Sequence, residues 1–354
     1  EDAAPIDEAA IIDEARALIR DSVRLHLRSD VPLGLFLSGG VDSASLLALM
    51  SALEPGRVKT FTVGYADDTP DNELLKARRA AAHFNSDHHE LVIDAEDWWR
   101  HFMEYVHCHD EPNANASAIS LMALAGLASA VVKVVLNGTG GDELFGGYFH
   151  HRTLPAMLRA NARLRRLLPQ PALARMGGVL GRLEGAYPAM LRYRVIGALP
   201  HYLPPVLGAL LEPVEALRRV RAFEGRVFSD RLRGWLYASD LLGAWQRARH
   251  KERTFARIVE SVGTDDPDDL VHGLFFSTWL PTNGLLSVDK VTMAHSLEAR
   301  VPFFDPPLMR FAAGLPPRLR GRGSKVVLRR AMDGLLPAEW LSARKQPFGT
   351  PILL

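Results

Sequence analysis

The sequence predicts an α/β fold: a doubly wound parallel sheet in the first half, followed by a helical C-terminal half. Three observations carry this prediction. Between residues 11 and 150, apolar strand-like runs alternate with helix-patterned stretches. Two of the runs end in glycine turns that open straight into helix-favouring segments, at Ser38-Gly39-Gly40 and at Gly138-Thr139-Gly140-Gly141. From about Leu154 to His272 the pattern changes to Leu-, Ala- and Arg-rich helices with several prolines and no convincing strand.

Ile11, Ile12, Ala15, Leu18, Ile19, Ser22 and Val23 recur at helical spacing and predict a leading amphipathic helix. Ser29-Asp30-Val31-Pro32 stops it, because the residue before a proline avoids the helical region. Leu33 to Leu37 is the first strand, and Ala44 to Leu53 the helix after its loop. The β-branched run Val58 to Gly64 is the second strand. A helix is expected over Asp71 to Phe84, with Asp71 as its cap. His89 to Ile93 is a third strand, Asp97 to His107 a helix, and Ser117 to Ala130 a helix of small residues. Val131 to Leu136 reads as a buried strand. Right-handed crossovers between parallel strands would bring the loops after strands one, two and four to a shared site at the carboxyl ends of the strands.

Composition narrows the class. The 354 residues are 47% hydrophobic, enough for one large or two moderate domains with a proper core. The formal net charge of +1 provides no global field toward nucleic acid or an acidic membrane. The Arg-rich helices, with Arg159, Arg163, Arg165, Arg166, Arg218, Arg219 and Arg221, are therefore expected to be solvated faces rather than an RNA surface. The single cysteine, Cys108, excludes a disulfide framework and a four-cysteine zinc site. Three contiguous residues, His107-Cys108-His109, cannot all face one ion. No apolar run approaches the length of a membrane span and no signal peptide opens the chain, so a cytoplasmic location is expected. The linker-like start, Glu1 to Pro5, and the apolar end, Ile352-Leu353-Leu354, lead us to expect a fragment of a longer protein.

The chemistry concentrates in two loops. Leu33-Gly34-Leu35-Phe36-Leu37-Ser38-Gly39-Gly40-Val41-Asp42-Ser43 reads as strand, tight turn and helix start. Backbone N–H groups freed there favour an anion, and Ser38 and Ser43 add hydroxyl donors. Asp42 would repel a phosphate unless a divalent cation such as Mg²⁺ sits between them. There is no Walker-type lysine, and the bland alternative is a plain capped turn. After the fourth strand, Asn137-Gly138-Thr139-Gly140-Gly141-Asp142-Glu143-Leu144-Phe145-Gly146-Gly147-Tyr148 repeats the logic. Asp142 would face Asp42 across a crevice, and the two could hold Mg²⁺ on a polyphosphate. The bland alternative for Asp142-Glu143 is ordinary charge at a helix start.

The string Ser38-Gly39-Gly40-Val41-Asp42-Ser43 resembles the pyrophosphate loop of the N-type ATP pyrophosphatases. With Asp30-Val31-Pro32-Leu33-Gly34, the second glycine motif, and Val288-Asp289-Lys290-Val291-Thr292-Met293-Ala294-His295-Ser296-Leu297-Glu298-Ala299-Arg300-Val301-Pro302-Phe303-Phe304-Asp305, the chain resembles the synthetase domain of the asparagine synthetase B family. Asp110-Glu111-Pro112, Asp87-His88-His89-Glu90 and Ser324-Lys325-Val326-Val327-Leu328-Arg329 agree, and the resemblance runs from about Ile11 to Pro351. It implies a ligase that turns ATP and a carboxylate into an acyl-adenylate and pyrophosphate, after which ammonia displaces AMP to leave an amide. It also implies that Ser38, Gly39, Gly40, Asp42 and Ser43 bind pyrophosphate and metal, and that Leu37, Val63, Asn137 and Gly138 lie at the nucleotide. Asp142 matches the second Mg²⁺ carboxylate, and Lys325 the lysine that meets the α-phosphate and offsets charge in the transition state. Asp289 and Lys290 are expected to be structural or near the nucleotide, and Arg300 to brace the crevice. Residues 1–30 would be linker and leading helix, 31–150 the nucleotide-binding core, and 151–354 a mostly helical part completing the site.

Two departures from the family pattern bear on function. Asparagine-forming members carry a glutamate where this chain has Thr139, and threonine is a poor general base. Thr139 therefore leaves the acceptor carboxylate open: aspartate by default, or a natural-product, peptide or surface-sugar carboxylate. Glutamine-dependent members also begin with a cysteine nucleophile on a glutaminase domain, and none stands near this start. Ammonia is expected from such a domain or from a partner. Family members are often homodimers, though no interface is legible here. A tRNA-modifying relative and an idle nucleotide-binding scaffold are the competing classes. The balanced charge argues against the first, and the joint presence of Asp42, Asp142 and Lys325 against the second.

Overall fold

The computed structural model describes residues 7–66, 73–110, 113, 115–148, 150–167, 238–248, 250–316, 318–320 and 324–343. The chain divides into two compact units, Glu1–Tyr148 with Pro281–Leu354, and Phe149–Leu280.

The first unit is built on five strands in the order β3-β2-β1-β4-β5, all parallel. They are β1 (Leu33–Phe36), β2 (Lys59–Tyr65), β3 (Asp87–Ile93), β4 (Val134–Leu136) and β5 (Glu298–Arg300). The chain moves from β1 outward to β3, then returns to β4 on the other side of β1. With right-handed crossovers, this reversal puts α2 (Val41–Leu53) and α3 (Leu74–His83) on one face, and α4 (Ala95–His109) and α5 (Ala116–Ser129) on the other. The doubly wound sheet expected from the alternating pattern is therefore present. Its switch point lies between β1 and β4, where such sheets leave a crevice at the strand ends.

Local chemistry explains the elements. α1 (Glu8–His26) starts behind Asp7, whose carboxylate accepts the N–H groups of Ala9 and Ala10. Phe61, Val63 and Tyr65 alternate along β2 and pack in one cluster with Ile93, Ala123, Leu124 and Ala128. Thr60 and Thr62 point the other way and hydrogen-bond, Thr60 to Ser86 at 2.9 Å and Thr62 to the carbonyl of Leu37. β3 is an edge strand and only half-buried, with Val92 exposed. α4 opens with a reciprocal cap in which Asp94 accepts the Asp97 N–H and Asp97 accepts the Asp94 N–H.

Four expectations need correction. The fourth strand is shorter than Val131–Leu136, because the N–H groups of Val131 and Val132 both turn back to the Ala128 carbonyl and close α5. The helix expected from Asp71 begins at Leu74 behind Glu73, and Asp71 lies outside the described residues. The sequence does not predict a fifth strand, yet Glu298–Arg300 pairs with Val134–Leu136 in register. The sequence groups residues 151–354 as one helical part, whereas Pro281–Leu354 belongs with Glu1–Tyr148, since β5 completes its sheet.

In that first unit, α6 (Gly141–Phe145) comes directly after β4. The second unit is helical where it is described, in α7 (His150–Leu167), α8 (Ser239–Ala248), α9 (His250–Val262) and α10 (Pro267–Ser277). There Arg159 pairs with the buried Asp268 at 2.6 Å, so this arginine is internally committed. Arg218, Arg219 and Arg221 lie outside the described residues. The rest of the first unit comprises α11 (Ser287–Met293), α12 (Pro306–Ala313), α13 (Val326–Ala331) and α14 (Ala338–Ser342). No described helix is long and apolar enough to cross a membrane.

Candidate active site

The first loop is wound around Ser43. Leu37 ends β1 by donating its N–H to the Phe61 carbonyl at 2.9 Å. The backbone then reverses at Gly39, with φ +72°. A Cβ on Gly39 would lie 2.7 Å from the backbone nitrogen of Ala77, so no other residue fits without displacing α3. Ser43, buried in the first turn of α2, accepts the Ser38 N–H at 3.2 Å and donates to the Gly40 carbonyl at 3.3 Å. Its Oγ is 3.0 Å from Ser38 Oγ, and Ser38 Oγ accepts the Gly40 N–H at 3.3 Å. α2 has no side-chain cap. Asp42 therefore does not act as the cap of a plain turn, and its carboxylate is turned to the second loop.

That second loop lies against the first. Asn137 donates its N–H to the Arg300 carbonyl at 2.8 Å, carrying the β4–β5 pairing one step further. Its Oδ1 accepts the Thr139 N–H at 2.8 Å and the Thr139 hydroxyl at 2.9 Å. A Cβ on Gly138 would lie 3.2 Å from Asp42 Cβ, and one on Gly141 would overlap the Asp42 carboxylate. Behind the loop, Glu143 Oε2 accepts the Gly140 N–H at 3.1 Å, and Oε1 accepts the Tyr148 hydroxyl at 2.7 Å.

Lys325 joins the two loops. It precedes α13 in left-handed backbone, φ 51° and ψ 43°. Its ammonium pairs with Asp42 Oδ2 and with Asp142 Oδ1, the latter at 2.8 Å. The lysine side chain is 2% exposed, against 9% for Asp142 and 15% for Asp42, which removes the alternative of a surface lysine. Gly147 makes room for it: a Cβ there would overlap Asp142 Oδ1 and Lys325 Cε. Burial first, and the Asp142 carboxylate second, push the Glu143 carboxyl up to about 7. Burial, and after it the Glu143 and Asp142 carboxylates, raises the Tyr148 hydroxyl well above its ordinary value. Nearby, Arg329 is held down by burial.

Ser38, Gly39, Gly40, Asp42, Ser43, Asn137, Gly138, Thr139, Asp142 and Lys325 thus gather at the ends of β1 and β4. Leu37 lies beneath them. Val63 does not join them, since its side chain packs in the apolar cluster against α5. The loop after β2 leaves the described residues at position 67. Arg300 braces the end of α1, donating from Nη1 to the His26 and Arg28 carbonyls at 2.8 Å each. Lys290 pairs with Asp110, while Glu111 and Pro112 lie outside the described residues. His107 is exposed and His109 buried, so the cysteine trio diverges. Among the described residues, no group of three His, Cys, Asp or Glu could hold a metal ion. Two carboxylates from two loops suit a hard cation such as Mg²⁺, which keeps its other positions for water and phosphate. Glu143, Gly147 and Tyr148 have roles here that sequence reasoning misses. A glutamate three residues after Gly140 at a helix start is the signal that could have found the first of them, since such a carboxylate can reach back to the N–H that precedes the helix.

Residues 14–353 match the asparagine synthase family. The chain belongs to that family. A Mycobacterium tuberculosis protein named as a putative glutamine-hydrolyzing asparagine synthetase is 35% identical over 349 residues, covering 98% of this chain and 49% of that protein. The glutamine-hydrolyzing asparagine synthetase 1 of Bacillus subtilis is 31% identical over 354 residues, with 98% and 50% covered. A more distant relative, amidase chry2 of Gibberella zeae, is 24% identical, with 97% and 53% covered. The chain spans about half the length of the curated relatives it matches.

Proposed function

We propose that the chain is the synthetase portion of an ATP-dependent amide ligase that activates a carboxylate, aspartate by default, and passes ammonia to it. The observation that carries this is the meeting of Asp42, Asp142 and Lys325 at the ends of β1 and β4. Family membership and the relatives' names support it.

In this mechanism the Ser38–Gly40 backbone and the Ser43 hydroxyl hold the outer phosphates of ATP. Gly138, Asn137 and Leu37 flank the nucleoside, and Val63 is left only its backbone for that purpose. Asp42 and Asp142 would hold Mg²⁺, which neutralises polyphosphate charge and stabilises the leaving pyrophosphate. Lys325 offsets the charge that grows on the α-phosphate as a carboxylate oxygen attacks. Ammonia then attacks the activated carbonyl and AMP leaves. The Thr139 hydroxyl is donated to Asn137 and supplies no base. Ammonia is taken from a glutaminase domain or a partner, and the location is taken as cytoplasmic. Thr139 also favours a second reading, in which the same chemistry serves a different carboxylate.

Pyrophosphate release is measured with ATP, Mg²⁺, ammonium and aspartate. Aspartate-dependent release with asparagine formed is expected, and Asp142→Asn should lower it about a hundredfold or more. ATP binding without aspartate-dependent release would favour the second reading. Absence of ATP binding would overturn both.

A further inference from the structure

Lys325 and the proposed cation make claims on the same two oxygen donors. Its ammonium already bridges Asp42 and Asp142 in a position closed to water. The bridge is built into the surrounding backbone. Gly141 and Gly147 each lack the Cβ that would overlap a member of the trio. Arg329 holds the backbone around the lysine through two hydrogen bonds. Arg329 Nε donates to the Ser324 carbonyl at 2.7 Å, and the Arg329 N–H donates to the Lys325 carbonyl at 3.0 Å. The four-carbon stem of the lysine is flexible and can swing the ammonium away.

Charge controls access to these oxygens. Two carboxylates and one ammonium sum to one negative charge. A divalent cation added to the same oxygens would sit within a few ångströms of the ammonium, in surroundings too dry to screen the repulsion. A polyphosphate on the neighbouring loop changes this balance. It offers the ammonium a new anionic partner and offers the cation additional oxygen ligands.

We propose that Lys325 competes with the divalent cation for the Asp42–Asp142 pair, so that the cation binds only together with the polyphosphate that draws the ammonium away. The lysine is then both the group that meets the α-phosphate and the gate that keeps free cations out of the crevice. This rests on Asp42 and Asp142 being the metal carboxylates proposed above.

The test uses Mn²⁺ as the probe, read by electron paramagnetic resonance, with and without a non-hydrolysable ATP analogue. Lys325→Met removes the charge, and Lys325→Gln removes it while keeping a hydrogen-bond donor, so one variant stands if the other fails to fold. With Mn²⁺ alone, either variant should bind at least about tenfold more tightly than the unaltered protein. Adding Asp142→Asn to the variant should abolish the gain. Lys325→Arg, which keeps the charge, should show no gain. A structural role for the lysine would weaken binding, not strengthen it. If the unaltered protein binds Mn²⁺ alone as tightly as Lys325→Gln does, the competition is overturned while the metal site stands. If no protein binds Mn²⁺ with or without the analogue, the metal site itself is overturned, and the competition with it.

Discussion

Gly39 and Gly40 are neighbours with different duties. Gly39 has φ +72° and no room for a Cβ beside Ala77. Gly39→Ala should therefore cost about 2 kcal/mol or more in thermal unfolding, from strain and displaced backbone. Gly40 has φ −73°, and the nearest atom to a Cβ there is Ser38 Oγ at 3.4 Å. Gly40→Ala should melt within about 0.5 kcal/mol of the parent. If the loop cradles phosphate, it should still weaken ATP binding by about tenfold in calorimetry. Glu143 makes a pH prediction. Its folded carboxyl titrates at about 7, above the ordinary glutamate value of about 4.3. The folded protein then binds more protons than the unfolded chain between those values, so stability falls as pH rises through that window. Glu143→Gln keeps an acceptor for Gly140 and removes the titration. Measured in chelator, its unfolding free energy should gain on the parent's between about pH 5 and about pH 8, by up to about 3 kcal/mol.

Among the elements, β5 is the hardest to foresee. Glu298-Ala299-Arg300 has no β-branched residue and two charges, so nothing local marks a strand. It is a strand because Val134–Leu136 offers a parallel edge. The reverse holds at Val131 and Val132, which look like strand but end α5 through the Ala128 carbonyl. Arg300 then ties β5 to the end of α1. Arg300→Met leaves the His26 and Arg28 carbonyls without this donor and should cost about 2 kcal/mol in denaturant unfolding, with the KM for ATP little changed. The two glycine loops are legible for the opposite reason. A strand running into Ser-Gly-Gly or Gly-Thr-Gly-Gly has few conformations open to it, and the acidic residues come within one helical turn.

For the molecule as a whole, Pro281–Leu354 joins Glu1–Tyr148 in one compact unit. That segment supplies both β5 and Lys325. A fragment ending at residue 280 would leave the apolar β4 as an open edge and Asp42 beside Asp142 without the lysine ammonium between them. It should be insoluble or aggregate, and any soluble part should bind no ATP, as read by sedimentation and calorimetry.

The order of the first four strands and their helices, the two glycine loops and the family are legible along the chain, because periodicity, glycine turns and contiguous motifs are local properties. The sequence also marks Lys325, but only by resemblance. Tertiary structure alone decides that this lysine is buried, that it lies on both aspartates, and that Val63 faces the core rather than the crevice. It also decides that the final segment of the chain closes the first sheet. These are contacts between residues far apart in the chain, set by which strand edge is open and which buried charge needs a partner, and no local pattern records either.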